Sequence, residues 1–270
     1  MSTTGTGVTE SRTRRAEEIK PAEVADALDR LGELVDARLP ERFYAGEAEW
    51  RSASTALVAR IAQVARSISC LIRAEHHTEA LVLLRVLYEH VVVTAWVLAA
   101  PETRLEAWRE SASARLRAIH HDGKRYGLNV LTSEQLAAAQ GATTLPSVLD
   151  LAAEVDAFWP ARVDAFRTFT GERVFADIYT LRGLYTALYR MASPRLHGEA
   201  TSLTAVINTD PRGRIVVDPG DDRTSAYLMP VAAPLMALAL AATHYRLGWP
   251  DQGAVREINN ALFLRPAGGT

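Results

Sequence analysis

A helix is expected over about Thr78–Ala99, where the run EALVLLRVLYEHVVVTAWVLAA (residues 79–100) is long enough for six turns and apolar around almost its whole circumference. Such a segment is stable only when other elements enclose it. Its length approaches that of a membrane span, but Arg85, Glu89 and His90 fall near its middle, where charge is expensive in lipid. The sequence therefore predicts the central helix of a water-soluble core, with no membrane partner. Pro101 punctuates its end.

The flanking sequence supplies candidates for the enclosure. Pro21 opens an amphipathic helix to about Leu39, with Val24, Leu28, Leu31, Val35 and Leu39 at helical spacing. A second helix, from about Ala48 to Arg73, carries Leu57, Ile61, Val64, Ile68 and Leu71 on one face. A long polar helix follows from Glu102 to Lys124, with Leu105, Trp108, Leu116 and Ile119 expected to face inward. Short helices are expected around 133–140 and 147–158. Longer ones are expected over 175–191, over 224–247 with kinks at Pro230 and Pro234, and over 252–264. Only TSLTAVINTDPRGRIVVDPG looks β-like, two alternating runs around Asp210-Pro211-Arg212-Gly213, so a hairpin is expected near 204–217. The whole reads as an all-α multi-helix bundle, one domain over 16–265 behind a Thr/Ser/Gly-rich tail at 1–15 without the apolar block of a signal peptide.

Composition narrows the functional classes. The 270 residues carry a formal charge of −2, which excludes a uniformly basic nucleic-acid coat but leaves a local basic groove open. Cys70 is the single cysteine, so there is no intramolecular disulfide, a thiolate zinc site is disfavoured, and a cytoplasmic location is expected. Lys20 and Lys124 are the only lysines among 30 basic side chains; a GC-rich genome explains the rest being arginine as readily as phosphate recognition does.

Two segments concentrate residues able to do chemistry. Arg85 and Glu89 are four apart and share a helical face among Leu, Val and Tyr neighbours, while His90 points about 100° away from Glu89. Structural glue and a polar site inside the bundle are both consistent with that pair. The second segment runs from Tyr185 through Tyr189-Arg190-Met191-Ala192-Ser193-Pro194-Arg195-Leu196-His197. Arg190 and His197 share a face if the helix continues through Pro194; otherwise Ser193 caps a new helix that Pro194 opens. Histidine exchanges protons near neutral pH and arginine holds phosphate, so this pair suits metal-free RNA cleavage, with Ser193 and Tyr189 in support. A helix junction without chemistry is the alternative. His120-His121-Asp122 would suit a metal-dependent hydrolase, but no Glu-x-x-His occurs and the other ligands are missing, so no metal and no cofactor are expected. Gly-rich phosphate loops, Gly-x-Ser-x-Gly elbows and Cys-x-x-Cys pairs do not occur.

LLRVLYEHVVVTAWVLAAPETRLEAW followed by YRMASPRLHG resembles a bacterial domain family of unknown function with an Arg-x-x-x-Glu helix and a later Ser-x-x-x-His segment, related to the HEPN superfamily. The resemblance covers roughly residues 50–200. It implies a HEPN-like helical fold, and many members of that superfamily are metal-independent ribonucleases of toxin–antitoxin and antiphage systems. The superfamily's motif is Arg, four to six residues, then His. Arg190/His197 fits with six and Arg85/His90 with four; Arg190/His197 is preferred because Glu89 already accounts for Arg85. The resemblance implies His197 as acid/base, Arg190 as phosphate ligand, and Arg85, Glu89, His90 and Tyr185 around them. It further implies RNA as substrate, a homodimer and a cognate antitoxin or partner protein. A non-catalytic module binding a nucleotide, small ligand or protein is the alternative.

Overall fold

The apolar run is a single helix, α3 (His77–Ala99), and its interior position organises everything else. In this computed structural model the described residues are 11–13, 18–39, 49–159, 180–196, 207–209, 212–217 and 228–266, with backbone alone at 11–13, 190–196, 207–209, 216–217 and 265–266. Around α3 stand α1 (Pro21–Asp36), α2 (Glu49–Arg73), α4 (Pro101–Lys124), α5 (Ser133–Ala138), α6 (Val148–Phe158), α7 (Leu181–Leu196), α8 (Ala232–Leu247) and α9 (Gln252–Phe263). The architecture is all-α. A short antiparallel hairpin, β2 (Ile207–Thr209) with β3 (Ile215–Val217), lies where the alternating runs placed it, and its turn contains Gly213 at φ +76°. Antiparallel pairing of β1 (Ser11–Thr13) with β4 (Leu264–Pro266) brings three residues of the stretch read as a tail against the segment after α9.

Helix α3 packs against α2, α6, α7 and α8, while α1 covers α2 and also touches α8 and α9. Leu81, Leu84, Leu87, Tyr88, Val91, Val92, Val97 and Leu98 are fully buried. Each such aliphatic side chain contributes roughly 1.5–3 kcal/mol relative to exposure. Helix α8 is nearly as enclosed, every residue from Ala232 to Thr243 being buried. It is entered through a 3₁₀ turn (Met229–Val231), and Pro234 sits in its first turn, where amides have no partner within the helix to lose.

Burying α3 also buries its end, and the last four carbonyls of a helix have no partner within it. All four are met here. The Trp96 carbonyl accepts from Arg104 Nη1 at 2.9 Å, and that of Val97 from the Ala100 amide at 3.2 Å. The Leu98 carbonyl accepts from Arg246 Nε at 2.7 Å, and the Ala99 carbonyl from Arg246 Nη2. Two guanidinium groups thus stand at the negative end of the helix dipole. Glu154 of α6 ties Arg104 down, accepting from Arg104 Nη2 and from Trp96 Nε1, each at 2.8 Å.

Three expectations are corrected. Helix α1 stops at Asp36, and Leu39, beyond its end, is 39% exposed rather than on the buried stripe. Leu116 and Ile119 of α4 do not face the core, because the second half of that helix runs past the bundle. The stretch 175–179 lies outside the described residues, and α7 continues beyond Met191 to Leu196.

Replacing Arg246 with alanine strands two buried carbonyls at once. Urea denaturation of Arg246→Ala should show a loss of about 2–4 kcal/mol, with helix content unchanged in the native baseline.

Candidate site between α3 and α7

Helix α7 is docked on α3 by contacts at its first turn. Asp156, on α6, accepts from the Leu181 and Arg182 amides at 2.8 and 3.0 Å, capping α7 from a different helix. Burial raises the Asp156 carboxyl above the usual range, partly offset by those two amides. Thr180 Oγ1 accepts from the Gly183 amide, and the buried Tyr88 hydroxyl donates to the Leu181 carbonyl at 2.7 Å.

With α7 held in this way, Tyr185 and Tyr189, one turn apart, stack at 4.1 Å between ring centroids. Tyr189 has Arg85 on it as well: the guanidinium carbon lies 3.9 Å from the ring centroid, within cation–π range. Arg85 Nε donates to Glu89 Oε1 at 3.3 Å, and the Tyr189 hydroxyl donates to the same oxygen in a very short bond. Tyr88 meets both other tyrosines with tilted or edge-on rings at 6.4 and 6.5 Å. The order is therefore guanidinium, phenol, phenol, with one carboxylate oxygen fastening the first two. Burial, and then Glu89, push the Tyr189 hydroxyl well above its ordinary range, against a smaller opposing effect of Arg85. Burial likewise raises Tyr88. Both phenols stay protonated and act as donors at physiological pH.

One donor in the cluster is unused. Arg85 Nη1 is buried and has no hydrogen-bond partner among the described residues, although the side chain as a whole keeps 20% of its surface exposed. A guanidinium already aligned by a carboxylate and an aromatic face, with a free N–H, is suited to receive an oxyanion.

Of the residues singled out in the sequence, Arg85, Glu89, Tyr185 and Tyr189 come together. Arg190 and Ser193 lie on the α7 backbone, with side chains outside the described part, and His197 lies outside the described residues. Helix α7 runs unbroken through Pro194 to Leu196, so of the two backbone paths considered at Pro194 the continuous one is found. His90 does not join the cluster; it is half-buried and in electrostatic reach of Arg60 on α2. Tyr88 and Asp156 are contributors that sequence reasoning missed. Tyr88 adjoins Glu89 but reads as core, and nothing local in α6 marks Asp156 as the cap of α7.

Among the described residues, no three or more His, Cys, Asp or Glu side chains are grouped to hold a metal ion. Of the His120-His121-Asp122 run, His120 is buried and its Nδ1 accepts from the Leu131 amide at 3.1 Å, a structural role.

The profile of a family of unknown function, DUF5677, matches residues 51–214. The chain belongs to that family. The match takes in α2 to α7 and the start of the hairpin, so it contains the whole α3–α7 cluster, whereas α1, α8 and α9 lie outside it and complete the same core. No curated protein and no solved structure matches the chain.

Burial, and then the Arg60 charge, lower the proton affinity of His90, against a smaller opposing effect of Glu89. Native His90 thus gives up its proton more easily than the unfolded chain does. Stability is full above the ordinary histidine value of 6.5 and falls as pH drops below it. His90→Gln should remove that part of the acid sensitivity: in urea titrations its stability relative to the parent improves between about pH 7.5 and 5.

Proposed function

We propose that this protein binds RNA at the α3–α7 cluster, with Arg85 as phosphate ligand and the Tyr185/Tyr189 stack beside it. The observation that carries this reading is the buried, unspent Nη1 donor of Arg85 next to two stacked phenols. Single-stranded RNA is held by this combination of cationic backbone contact and aromatic surface. Glu89 orients Arg85 and adds a negative charge that disfavours an anion unless the guanidinium N–H groups reach it first, which favours a positioned phosphate over diffuse anion binding.

A second reading adds cleavage. It is favoured by the continuity of α7 through Pro194, which puts Ser193 one turn beyond Tyr189 in the same helix as Arg190. His197, as acid/base, would then complete a metal-independent, HEPN-type ribonuclease whose cellular role is growth control or antiphage defence. A cytoplasmic location fits either reading. Helices α2 and α3 are long and apolar enough to cross a bilayer, yet more than half of the most apolar stretch of each is buried within the bundle.

Fluorescence anisotropy with a labelled single-stranded RNA oligonucleotide separates the readings. The parent should bind in a salt-dependent manner, and Arg85→Met should bind about tenfold or more weakly while retaining its helix content. Equal binding by both overturns the site. Incubation of total RNA in EDTA then tests cleavage: fragments from the parent and none from His197→Ala support the ribonuclease, and intact RNA from both leaves binding alone.

A further inference from the structure

Helix α4 carries one apolar stripe along its length, Leu105, Trp108, Ala112, Leu116 and Ile119, spaced by three or four residues. Its first half is used in the usual way: Leu105 is buried and Trp108 packs against the core. Its second half is not. Leu116 and Ile119 are 45% and 48% exposed, and the residues after the helix extend the apolar surface, Tyr126 being 82% and Leu128 59% exposed. The segment that returns along α4 crosses the end of the stripe at Gly123, where Leu128 and Val130 lie against the helix, and from there takes a different face. Arg117 donates to the Ala139 and Ala142 carbonyls at 2.7 and 3.2 Å, and His120 accepts from the Leu131 amide. Beyond that crossing the segment is held away from Leu116 and Ile119, which stay exposed.

The charges beside the open half are self-complementary. Arg115 and Asp122 are seven residues apart, so they flank the stripe on the same side, one near each end. Both are exposed, and neither side chain has an ion-pair partner among the described residues. When two such helices cross antiparallel, Leu116 of one meets Ile119 of the other, and each Arg115 comes beside the other chain's Asp122. The two-fold axis makes both contacts twice.

We propose that the outer half of α4 is an interface for a second copy of this chain, formed by antiparallel α4–α4 packing through Leu116 and Ile119 and registered by the reciprocal Arg115–Asp122 pairs. The interface lies on α4, whereas the candidate RNA site is formed by α3 and α7, so neither reading depends on the other. The seam is short, which fits a dimer that dissociates on dilution rather than an obligate one.

Sedimentation velocity of the full chain across a concentration series tests this. The parent should shift from monomer to dimer. Leu116→Glu with Ile119→Glu should stay monomeric at every concentration, with circular dichroism and melting unchanged because both side chains are already about half exposed. Arg115→Glu and Asp122→Arg should each weaken the dimer about tenfold, and the combined exchange should restore it to within about threefold of the parent. A parent that stays monomeric leaves the stripe to a partner of another kind and overturns the proposal. So does a dimer indifferent to the Leu116/Ile119 pair, or a charge exchange that fails to rescue.

Discussion

Enclosing a helix that is apolar on every side sets the terms for the rest of this structure. Helix α3 excludes water from its sides, and in doing so deprives its C-terminal carbonyls of water as well. Arg104 and Arg246, reaching from α4 and α8, replace that lost solvation. Because Arg246 lies 147 residues beyond Ala99, the capping of α3 ties the end of the chain to its middle. The contact therefore couples helices inside the family match to one outside it.

The same enclosure makes the candidate site. Most of α3 is surrounded by leucine, valine and alanine, but at Arg85 and Glu89 it meets α7 through two tyrosines rather than aliphatic side chains. A charged pair in such surroundings needs groups that are both flat and hydrogen-bonding, and Tyr189 satisfies both demands, its ring under Arg85 and its hydroxyl on Glu89. Structural glue accounts for Glu89 and Tyr189 in full. It does not account for Arg85 Nη1, which has no partner among the described residues.

Much of this was legible in the chain. Helix positions from 21 to 158 follow from apolar periodicity and from Pro21 and Pro101, and the hairpin follows from alternation around a Pro-Arg-Gly turn. The Arg85–Glu89 pair was visible from its four-residue spacing, and Tyr185 and Tyr189 from their proximity to Arg190. What misled was the outer half of α4. Leu116 and Ile119 continue the stripe begun by Leu105 and Trp108, and periodicity reports only that side chains share a face, not how far along the helix the neighbouring element extends.

Sequence by itself determined the positions of most helices and the all-helical class, because both depend on local spacing: which residues share a face and where proline interrupts. Tertiary structure alone decided which residues meet. Asp156 capping α7, Arg246 capping α3 and Tyr189 closing on Arg85 and Glu89 join positions 25 to 148 residues apart. No local pattern encodes such contacts, since they depend on how whole helices pack and on which buried polar groups packing leaves in need of a partner.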